Sequence, residues 1–208
     1  MSRTYSSPLR AEQAQATRRR ILDAARAQFL HGGWTATTVK AIADAAAVAP
    51  ATVYTVFGTK RAVLSALIDE ALATAVPGHL DDWPEIVGNR DQRERARRLV
   101  KMLSTALPVV DPFERVVREG ARADEEIAGL ARDVFEWRRG MATRIVDVLA
   151  GADGLRPGLS REEAADLVLA LAGPEVYHLL VGIRGWSAQQ FDAHLADLLG
   201  RLIPDPLA

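Results

Sequence analysis

The sequence predicts an all-α protein in two parts, a small N-terminal three-helix domain and a larger C-terminal helical body, about nine helices in all. Three observations predict it. Apolar residues recur at helical spacing along most of the chain, and nothing reads as a pair of strands. Glycine, proline and capping residues punctuate the periodic segments where helices would end and begin. Charge is unevenly spread: residues 1–60 hold eight Lys/Arg against three acids, a net +5, whereas the remainder holds eighteen against twenty-four, a net −6. A basic end on an acidic body is the footprint of a nucleic-acid reader, because phosphate attracts one part and repels the other. Charge alone leaves a solvated basic tail open as well.

Residues 1–16 are short of large apolar side chains and include Ser6, Ser7 and Pro8, so they read as a flexible basic arm. Order is expected from Thr17, where Ile21, Leu22, Ala25, Phe29 and Leu30 fall at helical spacing until Gly32-Gly33 ends the helix. Thr37 or Thr38 can cap a second helix of about two turns, whose Val39, Ile42, Ala43 and Ala46 share one face. After a tight connection at Val48 and Ala49, Pro50 suits the first turn of a third helix running to Phe57. Gly58-Thr59 breaks it, and Val63, Leu64, Leu67, Ile68, Ala71 and Leu72 mark a longer fourth. The reader domain is thus placed at 17–62 and the body at 63–208. Within the body, 76–89 reads as a loop or broken helix. Five further helices are expected over 91–106, 111–122, 124–149, 161–183 and 188–203. Their starts are signalled by Asn89, Asp111 and Ser160, the last with Glu163 in capping-box spacing.

Composition excludes much. With 49% hydrophobic and 25% charged residues in 208, the chain is an ordinary globular one. It has no cysteine, which removes disulfides, thiolate zinc sites and cysteine nucleophiles and fits a cytoplasmic protein. MSRTYSSPLR has no apolar export region, and charge interrupts every later apolar run before about 18 residues, so no membrane span is expected. His31, His79, His178 and His194 show no metal-ligand spacing, and no nucleotide-binding glycine motif occurs. No metal, cofactor or catalytic residue is expected.

Two short helices joined by a tight turn and braced by a preceding helix form a DNA reader whose second paired helix enters the major groove. Its exposed side would carry Pro50, Ala51, Thr52 and Thr55, all small. They cannot make the arginine–guanine contact, so thymine methyl packing, threonine hydrogen bonds and DNA shape are the expected means of reading. The hydroxyls of Thr37 and Thr38 can cap the second helix and meet a phosphate, with Lys40 in the same helix as a further DNA-binding candidate. Lys60 starts the fourth helix, where a cation opposes the helix dipole and points to an anionic partner. Arg10, Arg18, Arg19 and Arg20 read equally as phosphate or minor-groove contacts and as solvated charge.

The runs Thr17-Arg-Arg-Arg-Ile-Leu-Asp-Ala-Ala, Thr38-Val-Lys-Ala-Ile-Ala-Asp-Ala-Ala and Ala51-Thr-Val-Tyr-Thr-Val-Phe-Gly-Thr-Lys60 resemble the TetR family of bacterial transcriptional regulators. Ile42-Ala43, Ala46, Val48, Tyr54-x-x-Phe57 and Lys60 all stand in the family's spacing, over roughly residues 17–72. The resemblance implies that the Tyr54 hydroxyl contacts phosphate while its ring leans on the helix pair, and that Lys60 meets the DNA backbone. It implies a ligand-responsive regulator, a repressor foremost, that binds a palindromic double-stranded operator as a homodimer and is released by a small-molecule effector. Two positions depart from the family. Ala47 stands where the turn glycine belongs, and a left-handed alanine costs about 1 kcal/mol, so either the turn differs slightly or packing absorbs the strain. Ala49 replaces the usual Ser/Thr cap, and Pro50 compensates by fixing the first-turn angle.

In the body, the resemblance implies that the last two long helices pair with those of a second subunit. Their wide apolar faces agree: Leu167, Val168, Leu171, Val176, Leu179 and Leu180 on one, and Phe191, Leu195, Leu198, Leu199 and Leu202 on the other. Gly173-Pro174 should kink the first of them. Candidates for an effector pocket are His79, Trp83, Met102, Phe113, Trp137, Met141, Tyr177 and His178, each also readable as ordinary core or surface. Arg118, one turn from Arg122, can receive an anionic ligand or pair with Glu114 and Glu119. The alternative to the whole reading is an all-helical small-molecule-binding protein or enzyme without DNA regulation.

Overall fold

The computed structural model describes residues 8–75, 84–152 and 154–204. These form α1 (Pro8–Ala36), α2 (Val39–Ala45), α3 (Pro50–Phe57), α4 (Lys60–Ala75), α5 (Pro84–Val87), α6 (Gln92–Gly120), α7 (Glu125–Ala150), α8 (Arg161–Leu171), α9 (Pro174–Tyr177), a π-helical segment (His178–Ile183) and α10 (Ala188–Gly200). No strand occurs among the described residues. The chain divides into two compact units, Met1–Asp69 with Arg115–Leu130, and Glu70–Glu114 with Ala131–Ala208. The first unit therefore recruits the end of α6 and the start of α7 in addition to the N-terminal helices, which a boundary drawn along the sequence did not include.

In the first unit, α1 buries Ile21, Leu22, Ala25 and Phe29, the expected face. It begins well before Thr17, however, and of the expected arm the part from Pro8 is helical. Residues 10–16 are exposed and bury no apolar stripe, but alanine, glutamine, glutamate and arginine extend an existing helix at little cost. At the other end Gly33, with φ 67°, interrupts the helix and turns Trp34 inward, where its ring stacks on Phe29 at 6.0 Å. Helix α4 packs Val63, Leu64, Leu67 and Ile68 into the same core.

The second unit has its core between α6, α7, α8 and α10. Leu99, Leu107, Ile145, Leu149, Val168, Phe191, Leu195 and Leu199 are its main members. Two helices were expected where α6 is one, although Pro108 and Pro112 inside it each lack a backbone donor. The helix continues through them because Leu107, Val110 and Phe113 are buried on one face across the prolines. Packing there outweighs a propensity penalty of about 3 kcal/mol per proline. The anticipated kink at Gly173-Pro174 is a full break: α8 ends, Gly173 is extended, and Pro174 opens α9. Ser160 and Glu163 form the predicted capping box, and Ser187 with Gln190 forms a second at the start of α10.

Candidate nucleic-acid interface

Helices α2 and α3 are joined by the residues 46–49, and the backbone of Ala47 is left-handed at φ 52°, the one such non-glycine residue among those described. The turn thus keeps the glycine-type geometry on an alanine. Thr38 caps α2: its Oγ1 accepts from the Ala41 N–H at 3.0 Å, leaving its own proton free to be donated outward. Thr37 is a correction. It is 1% exposed and its hydroxyl donates to the Gly33 carbonyl at 2.7 Å, so it is part of the α1–α2 connection and not of the surface. Lys40 is exposed and pairs with Asp44 at 2.7 Å, an open i,i+4 pair worth little to stability.

On α3, Pro50 takes the first turn and the helix has no side-chain cap, as Ala49 dictates. Val53 is buried, which leaves Pro50, Ala51, Tyr54 and Thr55 exposed and Thr52 half-buried. Tyr54 is 54% exposed. The Thr55 hydroxyl donates to the Ala51 carbonyl at 2.9 Å, so outward it offers a methyl and an acceptor oxygen. Arg18 of α1 lies with its guanidinium 4.5 Å above the Phe57 ring, bracing the end of α3.

Lys60 is more enclosed than its position suggests. Its ammonium donates to the carbonyls of Trp34 and Thr37, both at 3.0 Å, and lies 3.8 Å above the Trp34 ring. Burial holds it below the usual lysine value, with Asp124 and Glu126 acting in the opposite sense. The indole N–H of Trp34 donates to Asp124 at 2.8 Å, and this bond holds the Asp124 carboxyl below its ordinary range. Neither Trp34 nor Asp124 was singled out from sequence. Their partners are 90 positions apart, and no local pattern connects them.

The expected dimer surface needs correcting too. Phe191, Leu195, Leu199 and Leu202 are at most 2% exposed within a single chain, so they are core. Val176, Leu180 and Leu198 pack partly against the same core. On α8 and the π-helical segment, Leu167, Leu171, Leu179 and Ile183 remain uncovered, exposed by 36%, 37%, 50% and 66%. Of these, Leu167, Leu171 and Leu179 were expected; Val168, expected beside them, is buried within the chain.

Of the effector candidates, His79 and Trp83 lie outside the described residues. Phe113 is buried, Met102, Met141 and Tyr177 pack against the second unit's core, and Trp137 is largely exposed. Arg118 falls in the first unit. In the second unit two of the candidates, His178 and Tyr177, stand among charged groups. His178 Nδ1 lies 3.4 Å from Asp111, and Arg138 bridges Glu114 at 3.5 Å and Glu175 at 2.8 Å. Tyr177 meets Phe191 edge-on at 5.1 Å, and burial, then Asp111 and Asp192, pushes its hydroxyl above the usual value.

Residues 21–67 match the family model of bacterial regulatory proteins, tetR family. Among solved structures, the chain is similar to NalD, the secondary repressor of the MexAB-OprM multidrug efflux pump in Pseudomonas aeruginosa, with TM-score 0.68 and 22% identity over 91% of this chain and 98% of that one. It is similar to a TetR transcription regulator from Haloarcula marismortui, with TM-score 0.65 and 16% identity over 90% and 98%. A bacterial regulatory protein in the tetR family from Rhodococcus RHA1 superposes with TM-score 0.62 and 20% identity over 90% and 97%. No curated protein matches by sequence.

Proposed function

We propose that this chain, whose residues 21–67 match the tetR family model, is a ligand-responsive transcriptional repressor that binds a palindromic DNA operator as a homodimer. The observation that carries the proposal is the α2–α3 pair. A Thr38-capped helix and a proline-led helix meet at a left-handed turn and leave Pro50, Ala51, Tyr54 and Thr55 facing out on the basic end of the chain. Helix α3 enters the major groove, reads thymine methyls and DNA shape, and is held in register by phosphate contacts from Thr38 and Tyr54. Two such helices about 34 Å apart in a dimer match successive major grooves. The uncovered Leu167, Leu171, Leu179 and Ile183 are the residues that a second copy covers. The likeness to NalD, a repressor, supports the sign of regulation.

The second unit is the sensor, and a small molecule bound there releases the operator by favouring a different state of the dimer. Helix α4 is continuous from Lys60, in the first unit, to Ala75, in the second, and is the mechanical link in this proposal. A protein so built works in the cytoplasm and performs no chemical step. The test is selection of duplexes from random-sequence DNA by the purified protein, followed by titration at several salt concentrations. A palindromic consensus bound by two chains, with affinity falling steeply in salt, is expected. No enrichment at low salt would refute DNA reading.

A further inference from the structure

Four contacts converge on Trp34, which is 2% exposed in the first unit. Its ring stacks on Phe29, the Lys60 ammonium covers it at 3.8 Å, and its N–H is bonded to Asp124 at 2.8 Å. A Cβ at Gly120 would come within 2.7 Å of the Trp34 Cβ, so the end of α6 is shaped around the same side chain. Each partner has a second task. Lys60 directs two of its three N–H donors to the carbonyls of Trp34 and Thr37. Those carbonyls flank the connection that leads into Thr38, the cap of α2. Asp124 uses one oxygen for the indole and the other to accept from the N–H groups of Glu126 and Ile127, capping the start of α7.

We infer that Trp34, Lys60 and Asp124 form a positioning joint for the DNA-reading surface, a role that rests on the DNA-binding reading above. Lys60 acts on DNA chiefly through the α1–α2 connection that it holds, and Asp124, through the indole, ties the place of that connection to the α6–α7 turn. Reaching out to phosphate as a free lysine would strip two carbonyls of their donor. The ammonium is therefore a clamp on backbone, and the phosphate-facing group that it keeps in place is the Thr38 hydroxyl. Because α7 begins at this joint and runs on into the second unit, a rearrangement of the α6–α7 turn would reach α2 through one hydrogen bond.

The test uses the full-length protein and a duplex that it selects from random-sequence DNA. Trp34→Phe removes the indole donor while keeping a ring, Lys60→Met removes all three ammonium donors while keeping the stem, and Asp124→Asn keeps a capping oxygen. Each variant is expected to bind about 5- to 20-fold more weakly at every salt concentration, with the slope of log affinity against log salt unchanged to about half a unit. In the unaltered protein, duplex binding is expected to slow hydrogen exchange at the Ile127 amide, because coupling acts in both directions. A slope reduced by about two units in Lys60→Met, one phosphate per half-site, would make Lys60 a direct phosphate ligand and overturn the inference. Wild-type affinity in Trp34→Phe, or Ile127 exchange indifferent to DNA, would overturn it as well. These last two results stand even if Lys60→Met fails to fold. Absence of any selected duplex would refute the DNA reader itself, an outcome distinct from the others.

Discussion

Replacing Leu179 and Ile183 together with glutamate should convert a dimer into a folded monomer. The two side chains are 50% and 66% exposed in the single chain. Full burial of a leucine or isoleucine contributes about 1.5–3 kcal/mol. The uncovered share leaves each with about 1–2 kcal/mol to gain from a partner, and symmetry counts every residue twice, giving about 4–7 kcal/mol for the pair. Even the lower figure is roughly a thousandfold in the dimerisation constant, before the cost of desolvating four carboxylates is added. Sedimentation equilibrium at about 10 µM, where many obligate dimers are fully assembled, should show a monomer. Its helical circular dichroism should be retained and its operator affinity should drop sharply, because half the contacts are gone. Leu195→Glu is the contrasting variant. Leu195 is fully buried within one chain, so a carboxylate there should abolish cooperative unfolding and not simply separate subunits. A double variant that stays dimeric, or a Leu195→Glu protein that is a well-folded monomer, would refute the assignment of Leu179 and Ile183 to the interface and of α10 to the core.

Four further outcomes can be checked. Ala47→Gly should stabilise the protein by about 0.5–1 kcal/mol, the relief of a left-handed alanine less glycine's greater unfolded-state entropy, raising the Tm by a few degrees without altering DNA affinity. Tyr54→Phe should weaken binding to all sequences by about 3- to 10-fold with an unchanged salt slope, since one uncharged hydrogen bond is lost. Thr55→Val, which keeps the methyl that faces out and loses the acceptor, should change base preference in a selection experiment. The depressed carboxyl of Asp124 contributes stability that is complete above its unfolded value near 3.8 and is lost as pH falls through its lower folded value. Acid unfolding of wild type below about pH 4 should therefore be steeper than that of Asp124→Asn, measured by fluorescence.

Much of the reader domain was legible locally. A helix face is written at i, i+3 and i+4, a start at Thr38 or Ser160, a stop at Gly58, and these rest on backbone geometry that a few neighbouring residues determine. The departure at Ala47 was legible for the same reason, but sequence left open whether the turn would differ or the strain be absorbed; the backbone is left-handed, so the strain is borne. Thr37 and Thr38 could not be told apart from sequence, because both can cap. The interior of the first unit decides: Gly33 turns the chain so that Thr37 points inward to its carbonyl and Thr38 outward.

Sequence by itself determined the helical class, the order of the helices, the turn-linked pair on a basic end, and the residues that pair exposes. Tertiary structure alone decided which apolar faces are core and which are left for a partner. The apolar residues of the π-helical segment and of α10 are alike in kind, yet Leu195 and Leu199 are enclosed within the second unit whereas Leu179 and Ile183 are not. Apolar periodicity records that a face must be covered, and it carries no mark of whether the covering comes from the same chain or another. The same holds for the Trp34–Asp124 bond and the enclosure of Lys60. A hydrogen bond between residues far apart in the chain leaves no spacing to read, and only the packing of α1, α4 and the α6–α7 turn around one indole brings those groups within reach of each other.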